Sequence, residues 1–276
     1  ETPGDGRTFV IDSTEPVALI TKPDKSYVVV LSTLSGTATD TAPGAVKSAY
    51  FRVKRSAAVE YWNWKASTFT ALDGANTDLA AALADGLWSY TTDYFKTSKA
   101  WEADKTYITQ FFANDKAGNQ GTAGEKTFTF DTSSPTTRIL IPYDANKKGL
   151  RSLAAVSGTA KDNWKNERVQ IALQKRADTP IWYDGSNFTV TGSAPNWLEV
   201  TNSAGFLSPD ATSWAYAPAG MDDDFAPDYK YLILTRAFDV ATNVQDVFSV
   251  DVSSMYITVD KNAPDSLLVR PLDDGD

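Results

Sequence analysis

One segment occurs three times in this chain, and its recurrence constrains the fold more than any other feature. Phe9-Val-Ile-Asp-Ser-Thr-Glu-Pro16 matches Phe128-Thr-Phe-Asp-Thr-Ser-Ser-Pro135 and then Ile257-Thr-Val-Asp-Lys-Asn-Ala-Pro264, each followed by a second proline at Pro23, Pro142 and Pro271. The events between these markers repeat in the same order. Ser35-Gly-Thr-Ala-Thr-Asp40 corresponds to Ser157-Gly-Thr-Ala-Lys-Asp162, and Tyr61-Trp62 to Trp182-Tyr183. Leu87-Trp-Ser-Tyr90 corresponds to Ser213-Trp-Ala-Tyr216. The stretch from Asp104 to Asn119 corresponds to that from Asp228 to Asn243. Collinear matches at a long period mean a duplicated folding unit. The expected organisation is residues 1–8 as a linker or the end of a preceding repeat, domains over 9–130 and 131–259, and 260–276 as a linker and the start of a third repeat.

Each copy reads as all-β. Tyr27-Val-Val-Val-Leu31, Thr106-Tyr-Ile-Thr-Gln-Phe-Phe112 and Tyr229-Lys-Tyr-Leu-Ile-Leu234 are rich in β-branched and aromatic residues and are bounded by Gly, Asp, Asn and Pro. About seven short strands per repeat is the count of an antiparallel sandwich. One stretch has a helical signature. Thr77 or Asp78 can cap it, Leu79 and Leu83 lie one turn apart, and Gly86 is a natural stop, so a short helix is predicted from Thr77 to Gly86 in the first domain. The matching region, Ala194 to Ser208, is predicted to be a loop with Trp197 tucked inward.

The Asp-Thr-Ser-Ser-Pro linker, the Ser-Gly-Thr-Ala-x-Asp segment and the late Asp115-Lys-Ala-Gly-Asn119 resemble the tandem immunoglobulin-like repeats of large bacterial surface adhesins and related extracellular proteins. The resemblance implies an immunoglobulin-like sandwich in each repeat and a location outside the cell. It also implies neighbouring repeats of the same polypeptide as the immediate partners. A host or cell-surface glycan or protein would be the remote partner. Some repeats of this kind bind calcium where linker and loop aspartates converge. The linker Val259-Asp-Lys-Asn-Ala-Pro264 is also similar to the calcium-binding linkers of cadherins but lacks their second aspartate.

Composition removes several function classes. The chain has no cysteine and no histidine, so disulfides, thiolate metal sites, His-ligated zinc and His-based catalysis are excluded. A net charge of −9 opposes binding to a phosphate backbone, and Lys147-Lys148 and Lys175-Arg176 are only pairs. No apolar run approaches the ~20 residues of a membrane span. The chain opens at Glu1 with no recognisable signal peptide, which reads as a portion of something longer.

Calcium takes six to eight oxygens, mostly from carboxylates, carbonyls and water. Asp131, Asp162 and Asp239, with the equivalent Asp12, Asp40 and Asp115, are the candidate ligands. The loops of alternate strands gather at one pole of a sandwich. The competing reading makes these residues turn caps that accept backbone N–H groups. Asp222-Asp223-Asp224 with Asp228 is a second acidic cluster, or simply a solvated loop. Of the eight tryptophans, Trp88 and Trp214, and likewise Trp62 and Trp182, fall at repeated positions and are expected in the cores. Trp64 and Trp164 lack counterparts and are expected at the surface. With Trp197 they would form a sugar-stacking platform if the chain were a carbohydrate-binding module. Asn119 and Asn243 either close turns or join a lysine in an isopeptide bond. A pair of catalytic carboxylates would need a fixed separation that the sequence does not single out. The reading favoured is a non-enzymatic stalk or adhesive segment, with a glycan binder and a self-assembling fibre or surface layer as alternatives.

Overall fold

A computed structural model describes residues 9–143, 148–200 and 213–267. The chain forms two compact units, Glu1–Ser133 and Ser134–Asp276. In the first, a three-stranded sheet holds β1 (Val17–Lys22), β3 (Thr33–Thr39) and β8 (Leu87–Thr91) in the order β1-β3-β8. The facing sheet runs β2 (Tyr27–Val28), β10 (Gly124–Phe130), β9 (Lys105–Asp115), β4 (Val46–Arg55), β5 (Glu60–Asn63) and β6 (Thr68–Thr70), with β7 (Leu79–Ala80) also paired to β4. β2 runs parallel to β10, and every other pairing is antiparallel. The strand count exceeds the expected seven because β2, β6 and β7 are short additions to the sandwich.

The second unit repeats this order. Its smaller sheet is β11 (Thr136–Ile141), β13 (Val156–Lys161) and β18 (Ser213–Tyr216). Its larger sheet is β12 (Lys148–Leu150), β20 (Ser254–Val259), β19 (Lys230–Asp239), β14 (Asn166–Arg176), β15 (Ile181–Tyr183) and β16 (Phe188–Thr191), with β17 (Leu198–Glu199) on β14.

Period-2 burial makes the sandwich. Along β9, Tyr107, Thr109, Phe111, Ala113 and Asp115 face inward, and along β19 Tyr231, Ile233, Thr235, Ala237 and Asp239 do the same. Tyr107 and Tyr231 stand near the starts of these strands and turn back on the preceding chain. The Glu102 N–H donates to Tyr107 Oη at 2.8 Å, and Tyr231 Oη donates to the Ala226 carbonyl at 3.1 Å. Such a tyrosine corner is a hallmark of the immunoglobulin-like sandwich. The Ser-Gly-Thr-Ala motif also has a packing cause. A Cβ on Gly36 would lie 2.1 Å from the Leu19 carbonyl and 2.5 Å from Trp88 Nε1; on Gly158 it would lie 1.9 Å from the Arg138 carbonyl and 2.7 Å from Trp214 Cζ2. Each glycine lets the neighbouring strand and the core indole close over bare backbone.

The helix expected over Thr77–Gly86 does not form. A single helical turn, α1 (Gly74–Thr77), lies earlier, capped by Asp73, whose side chain accepts from the Ala75 N–H. Leu79 and Ala80 instead pair with Phe51 and Tyr50, because an open stretch of β4 offers backbone partners that an isolated short helix lacks. A second turn, α2 (Asp93–Lys96), places Phe95 in the core, stacked on Trp101 at 4.7 Å. In the second unit the 3₁₀ turn Met221–Asp224 brings Met221 and Phe225 inward at the comparable place. Of Ala194–Ser208, residues 201–208 lie outside the described residues.

The tryptophan pairing is corrected by one residue. Lys54 pairs with Tyr61 while Gln174 pairs with Trp182, so Tyr183 takes the position of Trp62. Tyr183 joins the core against Phe188, whereas Trp182 lies on the other face and donates from Nε1 to the Gly192 carbonyl at 2.8 Å. A one-residue slip flips a strand's side chains across the sheet.

Candidate metal centre

β9 ends at Asp115, and the chain turns through Lys116-Ala-Gly-Asn119 to begin the return. Asp115 Oδ1 accepts the N–H groups of Gly118 (2.6 Å) and Asn119 (2.8 Å), and Asn119 Nδ2 donates to Asp115 Oδ2 at 2.7 Å. Asn119 Nδ2 also approaches the carbonyls of Asp12 and Thr14 at 3.2 and 3.3 Å, tying the segment before β1 to this end of the sandwich. The recurrent asparagines therefore close turns: Asn243 repeats the bonds to Asp239, at 2.8 Å from its N–H and 2.7 Å from Nδ2.

Asp12, Asp40 and Asp115 meet at this pole, each with a carboxylate oxygen within 4.8 Å of the others. Asp12 Oδ1 accepts the Thr14 N–H and Asp40 Oδ1 accepts the Thr41 N–H, so turn capping occupies one oxygen of each. The other oxygens converge over Gly44, whose added Cβ would lie 2.4 Å from Asp40 Oδ2 and 2.6 Å from Asp12 Oδ2. Asp40 Oδ2 is buried and accepts no hydrogen bond. Among the described residues none of the three pairs with a lysine or arginine. An orphaned carboxylate oxygen above a bare glycine, among like charges with no counter-charge, suits a hard cation. At Asp12 and Asp40 the two readings left open by the sequence thus apply to different oxygens of one side chain, whereas both oxygens of Asp115 accept hydrogen bonds.

In the second unit Asp162 and Asp239 hold carboxylate oxygens within 4.8 Å of each other. Asp162 Oδ2 accepts the N–H groups of Trp164 and Lys165. Burial raises the proton affinity of Asp239, the bonds from Asn243 oppose this, and the Asp162 charge adds to it. Asp115 stands the other way: burial pushes it up, but hydrogen bonds from Asn119, Gly118 and Ala117 outweigh that and hold it low. Asp131 closes the first unit. It is buried, donates its N–H to the Val28 carbonyl, and accepts the Ser133 N–H on Oδ1.

The second acidic cluster is not a pooled charge. Asp222 Oδ1 accepts the Leu153 N–H, Asp224 Oδ2 accepts the Tyr183 hydroxyl, and Asp228 accepts Asn262 Nδ2. The three tryptophans of the glycan-binding reading divide between the units and differ in exposure. Trp64, expected at the surface, is half-buried against the core, edge-on to Phe51 at 5.1 Å, with Nε1 donating to the Thr77 carbonyl. Its burial follows from α1, which packs on β5 and accepts the Trp64 N–H at the Asn76 carbonyl. Trp197 is half-buried, stacked on Phe248 at 5.8 Å and covered by the Arg236 guanidinium at 4.1 Å. Trp164 is 39% exposed.

No family model and no curated protein matches the chain. Among solved structures, fibronectin(III)-like modules of Clostridium thermocellum CbhA align over 92% of this chain and 100% of theirs, at 12% identity and a TM-score of 0.38. A 1.5-MDa bacterial ice-binding adhesin aligns over 90% of this chain and 65% of that structure, at 17% identity and a TM-score of 0.33. The BSP domain of a biofilm-associated protein aligns over 91% and 30%, at 11% identity and a TM-score of 0.23. The immunoglobulin-like assignment rests on sheet order and the two tyrosine corners. Among the described residues no helix is long and apolar enough to cross a membrane.

Proposed function

We propose that this chain is a non-enzymatic structural segment of an extracellular, surface-displayed protein, built from sandwiches that hold calcium. The observation that carries the reading is the trio Asp12, Asp40 and Asp115, with the orphaned Asp40 Oδ2 over Gly44. Asp12 belongs to the linker-type segment before β1, while Asp40 and Asp115 belong to loops of the sandwich. An ion shared by them ties that segment to the sandwich and restricts its angle. The second unit carries the corresponding Asp162 and Asp239. Repetition supports a mechanical role over a catalytic one, since each repeat buries its own core and contributes length.

Thermal unfolding of the whole chain in millimolar calcium and in chelator tests this. A ligand at about 100 times its Kd adds ~2.7 kcal/mol, a rise on the order of 10 °C for a domain of this size. Asp40→Asn removes an oxygen charge, and Gly44→Ala fills the space between the carboxylates without altering their charge. Both are expected to abolish the calcium-dependent gain of the first unit. An unchanged melting curve for the unsubstituted chain in calcium overturns the proposal.

A further inference from the structure

The two acidic poles differ at one position of β4 and β14. Val46 pairs directly with Asp115 in the first unit, and Asn166 pairs directly with Asp239 in the second. Both pairings sit at the same irregularity in the ladder, between Val46 and Ser48 and between Asn166 and Arg168. Directly opposed residues of an antiparallel pair project to the same face, with Cβ atoms about 4.5–5.5 Å apart. Asp239 is fully buried on the inward face of β19, and Asn166 is 7% exposed. The Asn166 amide oxygen, Oδ1, is buried and has no hydrogen-bond partner. In the first unit the equivalent space is closed by the Val46 side chain against the core.

A buried, unpartnered amide carbonyl costs stability, because it gives up water and gains no bond in return. Here it stands opposite Asp239, whose carboxylate shares the pole with that of Asp162. Calcium accepts amide carbonyl oxygens alongside carboxylates. Resting on the calcium reading above, we propose that Asn166 supplies a neutral oxygen ligand to the cation held by Asp162 and Asp239. The second unit's site thereby gains a protein ligand that the first unit, with Val46, does not have. The two sites are therefore unequal, and Asn166 sets the difference.

The test is calcium titration calorimetry on the whole chain carrying Asp40→Asn, so that only the second unit's site is read. Adding Asn166→Val installs the first unit's residue. Affinity is expected to fall about tenfold or more, at least the loss seen when a partner outside the inner ligand set is removed. In chelator the same variant should melt no lower than its parent, because the substitution removes an orphaned polar atom. A merely structural asparagine would give the opposite pattern, with a lower melting temperature in chelator and unchanged affinity, and that result overturns the inference. If Asn166→Val fails to fold, Asn166→Asp keeps an oxygen at the position. It should bind calcium at least as tightly as the parent while melting lower in chelator, and a tenfold loss there also overturns the inference. Unaltered binding in both variants removes Asn166 from the site and leaves calcium in place. No binding to the unsubstituted chain removes the calcium reading itself.

Discussion

The two sandwiches share one sheet order yet close the seam between their sheets differently. In the first unit, glycine brings backbone against backbone: an added Cβ on Gly121 would lie 2.0 Å from the Pro16 carbonyl, and on Gly124 it would lie 2.3 Å from that of Ala18. Gln245 stands where Gly121 does, since their N–H groups bond to the equivalent Ala237 and Ala113 carbonyls. Gln245 Oε1 accepts the Thr137 N–H and hydroxyl, both at 2.9 Å, and Thr137 Oγ1 lies 2.8 Å from Thr235 Oγ1. Three buried polar side chains thus replace a glycine, Ala18 and Phe111. In the first unit Phe111 and Phe51 flank Trp88 at 4.7 and 4.6 Å, and aromatic packing fills what hydrogen bonds fill in the second. The fold fixes which positions face the seam. It leaves open the chemistry that fills them, provided that all partners change together.

That view makes unequal demands on the two units. Phe111→Ala should destabilise the first unit by ~3–5 kcal/mol, the cost of emptying an aromatic core position. Thr235→Val, which keeps the volume but removes a shared hydroxyl, should cost the second unit about 1–3 kcal/mol. Urea unfolding followed by amide exchange assigns each loss to its unit, and comparable losses would break the contrast. Where the units agree, the effect should agree too. Gly36→Ala and Gly158→Ala each force a methyl group into a carbonyl and an indole, and both should cost about 3 kcal/mol. A mild effect at either site would mean that the strand can shift away.

What could be read from the sequence follows the same division. The repeat, the all-β character and the aspartates of the pole were legible because geometry dictates residue type there. Gly36 and Gly158 must be bare, and Asp115 and Asp239 must cap their turns. The helix differs from expectation because Leu79 and Leu83 suggest a period while the open flank of β4 decides the outcome. Trp64 departs from expectation because its cover, α1, has no counterpart among the described residues of the second unit. Asn166 carries no signal in the sequence, since an asparagine at a strand's start reads as ordinary until its register opposite Asp239 is known.

The turn after β9 and β19 offers a smaller test. Gly118 has φ +101° and Thr242, its equivalent, φ +79°. A β-branched residue in the left-handed region is strained by roughly 1–2 kcal/mol. Thr242 also donates its N–H to the Asp239 carbonyl rather than to the carboxylate, as Gly118 does for Asp115. Thr242→Gly should stabilise the second unit by about 1 kcal/mol, after the extra chain entropy of glycine is subtracted. It should also move the proton affinity of Asp239 down toward that of Asp115, a shift that carboxyl NMR titration in chelator would follow. No change in either would mean that the strain is relieved elsewhere.

The smallest effect concerns the hairpin after β5 and β15, where the units differ by one charge. Asn63 Oδ1 accepts the N–H groups of Lys65 and Ala66. Asp184, in the same place, accepts the N–H groups of Ser186 and Asn187 and the hydroxyls of Ser186 and Thr189. The Thr189 hydroxyl foremost, then those N–H groups, hold the Asp184 carboxyl below the ordinary carboxylate range. A carboxyl with a lowered folded pKa adds stability that is complete above its unfolded value, about 3.9, and fades as pH falls through that value toward the folded one. Asp184→Asn converts this turn into the neutral form found in the first unit. Its urea midpoint should lie below that of the unsubstituted chain at pH 7, and the gap should narrow as the solution is taken to pH 2. The other carboxylates titrate in both proteins and cancel in the difference. A gap of constant size would show that shape alone, and not charge, distinguishes the two hairpins.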